Sequence, residues 1–343
     1  MKFSVNKDFL SYFVLVVPIS LIVGLRGQTR DTIVYYEIFK NIYSYDLLEI
    51  VNFYQITGME ILFGWYSQVI RLFSSSASLM FWGWSFSIFV FLYFISQRAR
   101  RSSLWTFLLY ISSGYFVIWQ FMQIRQGLAV VLALYAIVFF VQERKYLLFF
   151  FLTLLSIATH QVAGIIILCG LCSIILTHQS KMSLTQFKLC SIFLLLAIVI
   201  FNKFIIINVL VFFSERVFLY SEDSVGVESG LRLPDIKALL TFIILLIFTS
   251  QKMYQDRVYK IFFLLFIFGL ACRIGFMDVP ILSGRFASAL TFSEIFLLPM
   301  IFFRFKKYGK YLLLLFVIIQ AVFTYGFQVP EDFYQSYFYP YEY

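Results

Sequence analysis

An all-α bundle of membrane-spanning helices is the fold that this sequence predicts, on three observations. Of the 343 residues, 62% are hydrophobic and only 13% are charged, against roughly 25% charged in a soluble domain. The apolar residues gather into runs of about 13 to 24, near the ~20 that cross a bilayer as a helix, with shorter ones tolerated among other helices. The basic residues fall in the gaps between those runs and sort onto one side. With no polar stretch longer than a few tens of residues, 1–343 reads as a single integral membrane domain.

Lys2 and Lys7 before the apolar run 9–25 resemble a signal peptide, but Pro18 interrupts the run and no small-residue cleavage site follows. It is read as a first, retained helix. An outer loop covers about 26–58. Met59 to Phe73 carries Glu60 and Arg71, which suits an interfacial or re-entrant helix on the outer side. Counted as a crossing, it would move every later loop to the opposite side. Runs at 78–96, 104–121, 127–141, 146–159, 162–177, 189–212, 238–250, 261–277, 286–303 and 311–326 follow, giving about eleven spans. No internal repeat is visible, which disfavours transporter folds built from two related halves.

With the N-terminus cytoplasmic, the inner segments hold 16 of the 27 Lys and Arg but only three of the 18 Asp and Glu: Asp8, Glu143 and Asp256. That segregation orients the chain, with the C-terminus on the outer side. It also makes the net charge of +9 a signature of topology, with no nucleic-acid partner implied. The long segments, about 26–58, 214–237 and the tail 327–343, all lie outside.

The unusual residues lie on that outer face. Arg125 sits in the turn between two spans, within Trp119 to Val141. An arginine near a helix centre costs roughly 2.5–3.5 kcal/mol on insertion scales, so one retained there points to an interface or a polar site. Arg26 closes the first span, and Arg273 and Arg285 bracket the outer segment CRIGFMDVPILSGR. Four guanidinium groups at one depth make a candidate anion site, since their forks match phosphate oxygens. The alternative is that each snorkels to headgroups or pairs with an acid such as Asp31 or Asp278. His160, at the end of the fifth span, and Glu60 are candidate bases, against a histidine that only caps a helix and a carboxylate that only pairs an arginine. Lys203 and Glu294 fall inside apolar runs at similar depths and are expected to pair. The Tyr-rich tail suits the membrane interface better than sugar stacking.

Cys169 and Cys172 have C-x-x-C spacing but lie in an apolar run with no second ligand pair, so packing is favoured and no metal site is expected. Walker, H-E-x-x-H and G-x-S-x-G motifs are absent, which disfavours ATP-driven or metal-assisted chemistry. No cofactor is expected.

Taken in order, GLRG with a following Asp and tyrosines (Gly24 to Tyr36), a Glu-led segment (Glu60 to Leu72), IRQGLA (Ile124 to Ala129), His160 after a short apolar helix, and Arg285-Phe286 resemble the EpsG-like branch of Wzy-type polysaccharide polymerases. Gln123 and Ile61-Leu62 stand where the family pattern has Asn and Pro-Gly. The resemblance implies a GT-C-like bundle in the bacterial inner membrane that joins oligosaccharide repeat units carried on undecaprenyl diphosphate. Both donor and acceptor would be lipid-linked glycans, with a flippase and a chain-length regulator as further partners. It implies that Arg125, Arg273 and Arg285, with Arg26 nearby, bind diphosphate, that His160 or Glu60 deprotonates the acceptor hydroxyl, and that Asp31, Tyr35 and Gln126 orient arginines or sugars. A lipid-linked oligosaccharide flippase or other transporter, an O-antigen ligase and a membrane acyltransferase are the rival readings.

Overall fold

The computed structural model describes residues 7–29, 31–178, 182–209 and 232–340; every regular element among them is helical. The expected outer segment 214–237 therefore lies mostly outside the described residues, as does Lys2. Among the described residues, five helices are long and apolar enough to cross a membrane, or up to seven if each of two bent pairs counts as one span. The chain divides into two compact units, residues 1–164 with 306–343, and residues 165–305.

In the first unit, α1 (Lys7–Gly24) runs through Pro18 without interruption. Short helices α2 (Thr32–Lys40), α3 (Ile50–Thr57) and α4 (Ile61–Phe73) follow, then α5 (Ala77–Arg98), α6 (Ser103–Ile111), α7 (Gly114–Val117), α8 (Ile124–Glu143) and α9 (Tyr146–Thr159). The unit is built around α8, whose side chains from Gly127 to Leu134 are all buried. A helix that is apolar all round has to be enclosed. Its enclosure is made by α5 and α9. The Trp84 Nε1–H donates to the Ile124 carbonyl at 2.8 Å, Phe140 packs on Phe149, and Arg98 ties to Glu143 at the far end. The Tyr12 hydroxyl fastens α1 to the Phe89 carbonyl of α5 at 2.9 Å.

The expected span 104–121 is broken. The α6 segment and the Gly114–Met122 segment, which ends in a π-helical turn, meet at 74°. Backbone freed inside a bilayer needs other partners, and the last long helix, α17 (Gly309–Phe323), with the residues just beyond it, supplies them. Gln320 Nε2 donates to the Leu109 carbonyl and Ser112 Oγ, both at 2.9 Å, and the Tyr325 hydroxyl donates to the Ile111 carbonyl at 2.5 Å.

In the second unit, α10 (Val162–His178, which begins in the first), α11 (Leu184–Phe201), α12 (Leu233–Phe248), α13 (Gln251–Gln255), α14 (Arg257–Gly275), α15 (Pro280–Thr291) and α16 (Glu294–Phe303) follow in order. Here α14 is the enclosed helix, buried from Phe262 to Ile267. Gly269 lets α15 approach it. A Cβ at that position would meet the Thr291 backbone nitrogen at 2.6 Å, and a main chain cannot rotate aside. Gly269→Ala is therefore expected to lower stability by about 1–3 kcal/mol, read as a lower melting temperature of the detergent-solubilised protein.

Candidate functional site

Arg125 is the second residue of α8, one turn after the π-helical segment. The glycine of IRQGLA explains how it gets there: a Cβ on Gly127 would meet Trp119 Cβ at 2.7 Å and the Trp119 carbonyl at 3.2 Å. Only a glycine lets the first turn of α8 fold back so tightly onto the preceding segment. The guanidinium thus stands beside the positive end of a 20-residue helix, where a cation is disfavoured without a nearby negative charge.

Glu60 supplies that charge. Gly58, in the left-handed region at φ 67°, ends α3 and turns the chain, and Glu60 then stands at the N-cap of α4 without capping it through its side chain. Its Oε2 receives Arg125 Nη1, and its Oε1 receives the Gln161 N–H at 3.1 Å. His160 ends α9, with Nδ1 3.9 Å from Glu60 Oε1. The three side chains are only 14%, 12% and 13% exposed for Arg125, Glu60 and His160. The Val162 N–H donates to His160 Nδ1 at 3.1 Å, which assigns the neutral ring the tautomer with its proton on Nε2.

Tyr35 of α2 completes the cluster. Arg125 donates a hydrogen bond to its hydroxyl and lies 5.8 Å from its ring centre. Burial pushes the phenol up, against the opposing pull of Arg125 and Arg26, so Tyr35 stays a neutral hydroxyl. Asp31 acts through charge and main chain: it is exposed, adopts φ 66°, and its carbonyl accepts the Tyr35 N–H. Arg26 is 1% exposed, its guanidinium 4.3 Å from the Phe81 ring centre and 5.5 Å from that of Phe121. Gln126 is buried in the first turn of α8. Arg125 Nε is buried with no hydrogen-bond partner among the described residues.

The first unit therefore brings together Tyr35, Glu60, Arg125 and His160, four of the expected site residues, with Arg26 near enough to act on Tyr35 through its charge. Arg273 and Arg285 belong to the second unit. Arg273 Nη1 pairs with Asp235 Oδ1 at 2.9 Å, and Asp235 Oδ2 accepts the Arg232 N–H at 2.8 Å. Arg285 stands within α15, which begins at Pro280 and not at the expected 286, because proline is well suited to a first helical turn. The expected Lys203–Glu294 pair does not form. Lys203 meets Asp278 at 3.6 Å and Glu294 meets Lys237 at 2.6 Å, since Glu294 opens α16 beyond a 47° bend and packs against the start of α12. Sequence reasoning missed Asp235 and Lys237, whose signal was their position in the first two turns of an apolar helix, just after Pro234. It also missed the backbone N–H groups of Gln161 and Val162, which no residue pattern marks.

Among the described residues no group of three or more His, Cys, Asp or Glu is placed to hold a metal ion. No curated protein and no solved structure matches the chain. The sequence does match the EpsG family over residues 9–343, nearly its whole length, and the chain belongs to that family.

Proposed function

We propose that this chain is a glycosyltransferase that extends polysaccharide by joining repeat units carried on undecaprenyl diphosphate, at the outer face of the bacterial inner membrane. Membership of the EpsG family supports polysaccharide polymerisation as the class of activity. The single observation that carries the chemistry is the buried Arg125–Glu60 pair beside His160. In this reading the shorter apolar helices at 8–24, 146–159 and 162–178, with α12, complete eleven spans. The N-terminus is then cytoplasmic, and α4 lies along the outer interface.

Arg125 has one guanidinium nitrogen on Glu60 and its Nε without a partner, so it has donors for a phosphate and a carboxylate to give up. An arriving lipid diphosphate takes the guanidinium in place of Glu60. The released carboxylate then accepts the proton of the acceptor hydroxyl. The acceptor oxygen bonds to the donor sugar's anomeric carbon as that carbon's bond to phosphate oxygen breaks, and undecaprenyl diphosphate leaves with the electron pair. Guanidinium donors stabilise the charge that develops on it. His160, with Nδ1 occupied by the Val162 N–H, serves as a donor through Nε2 and not as the base. Tyr35 and Asp31 hold Arg125 and its loop, Gln126 contacts sugar hydroxyls, and Arg26 contributes phosphate contacts. Donor and acceptor glycans, membrane lipids, a flippase and a chain-length regulator are the partners.

The test is surface glycan from a deletion strain complemented with the wild type, resolved by size. Single-repeat glycan in the deletion and a restored ladder on complementation are the expected results. Complete loss of surface glycan in the deletion, single repeats included, would instead favour a flippase or a ligase.

A further inference from the structure

The chain's last described residues return to its first loop. The Gly27 N–H donates to the Tyr337 carbonyl and the Gln28 N–H to the Tyr339 carbonyl, both at 2.8 Å. Gln28 Nε2 donates to the Pro340 carbonyl and the Tyr337 hydroxyl to the Ile22 carbonyl, both at 2.7 Å. Between them lies α18 (Glu331–Phe338), whose inner face meets one ring: Phe121 is 5.4 Å from Phe333 and 5.9 Å from Tyr337, centre to centre. The same Phe121 carries the Arg26 guanidinium, and its carbonyl accepts the Thr29 hydroxyl at 2.9 Å. Phe121 also lies just before the turn into Arg125. Gly27 is required for this closeness, because a Cβ there would stand 2.6 Å from the Tyr337 carbonyl oxygen and would also strike that of Tyr339.

We propose that the C-terminal segment Glu331–Pro340 is a positioning element of the anion site: it straps the Arg26 loop down and, through Phe333, Tyr337 and Phe121, sets where the Arg26 guanidinium stands. The inference rests on the reading of the Arg26–Arg125 cluster as a diphosphate site. Nothing in the strap touches the reacting atoms. Its role is to spare the loop the cost of being ordered when the anion arrives, a preorganisation that shows in affinity. Burial pushes the Tyr337 phenol up while Arg26 pulls it down, so the strap's neutral hydroxyl and the site's guanidinium already share one environment.

The experiment uses the full-length protein in detergent, with inorganic pyrophosphate as the ligand, and compares wild type, Tyr337→Ala, Tyr337→Phe and Gly27→Ala. Pyrophosphate affinity is measured by calorimetry, amide exchange at Gly27 and Gln28 by mass spectrometry, and folding by the melting temperature. Tyr337→Ala and Gly27→Ala should exchange faster at those amides and bind pyrophosphate about tenfold more weakly with melting retained, while Tyr337→Phe, which keeps the ring, should lose less than about threefold. Wild-type affinity despite fast exchange would overturn the proposal. So would loss of binding that accompanies lost melting in every variant including Tyr337→Phe, since the segment would then be a folding element only. A wild type that binds no pyrophosphate would remove the anion site and the strap's role together, whereas a normal glycan ladder with unchanged affinity would remove the strap alone.

Discussion

Arg125→Lys is expected to lower chain extension by on the order of a hundredfold, and Arg125→Ala by at least as much, because on the proposed mechanism both remove a developing-charge donor from a low-dielectric site. Lysine keeps the charge and loses the fork. A point charge cannot grip a phosphate with two donors at once and still keep the contact with Tyr35 that the planar guanidinium makes. The check is the ladder of surface glycan alongside the rate of repeat-unit consumption in purified membranes. Glu60→Gln is expected to fall by roughly a hundredfold or more as well, since an amide cannot take the acceptor's proton, yet it should bind pyrophosphate at least as well as wild type, because no carboxylate then competes for Arg125. Full-length ladders from Arg125→Lys would refute the assignment. Weakened pyrophosphate binding in Glu60→Gln would instead make Glu60 a support for Arg125 and leave the base unassigned.

Asp235→Ala is expected to unfold or severely destabilise the second unit. The carboxylate is 7% exposed and meets Arg273, itself 12% exposed, and removing one member of a buried pair typically costs about 3–5 kcal/mol because the other stays charged and desolvated. It also removes the acceptor for the Arg232 N–H at the start of α12. Asp235→Asn should cost less, keeping one acceptor oxygen. The double replacement Asp235→Leu with Arg273→Met should recover much of the loss, since apolar residues of similar volume are often as stable as a buried pair. Melting temperatures in detergent separate the three. Equal stability of Asp235→Ala and wild type would mean that water reaches Arg273.

Among the described residues the apolar runs are helical, two of them broken by a bend, because an apolar run in lipid has few other ways to satisfy its backbone. The breaks were less legible. Ser112 and Ser113 interrupt an otherwise continuous run by only two residues, and what permits the bend is a glutamine and a tyrosine some two hundred positions away, a long-range contact that local pattern does not carry. The Glu60–Arg125–His160 grouping was legible as residue types at element ends, where a charge in an apolar setting is conspicuous. The pairing partners in the second unit were not: depth along an apolar run was read from residue counts, and the 47° bend before Glu294 changes that arithmetic. Tyr337 was legible only as an aromatic suited to the interface, since its carbonyl, which takes the Gly27 N–H, has no sequence signature.

The break at Ser112–Ser113 also bears on how the protein is made. The carbonyls of Leu109 and Ile111 beside it are met by Gln320 and Tyr325, the former 211 residues downstream of Leu109. During synthesis the two half-helices enter the bilayer long before those partners exist. The nascent chain must then shelter polar backbone at the translocon, or leave the pair unbent until the last long helix emerges. The bend of the first unit is thus completed only once Gln320 and Tyr325 are in place.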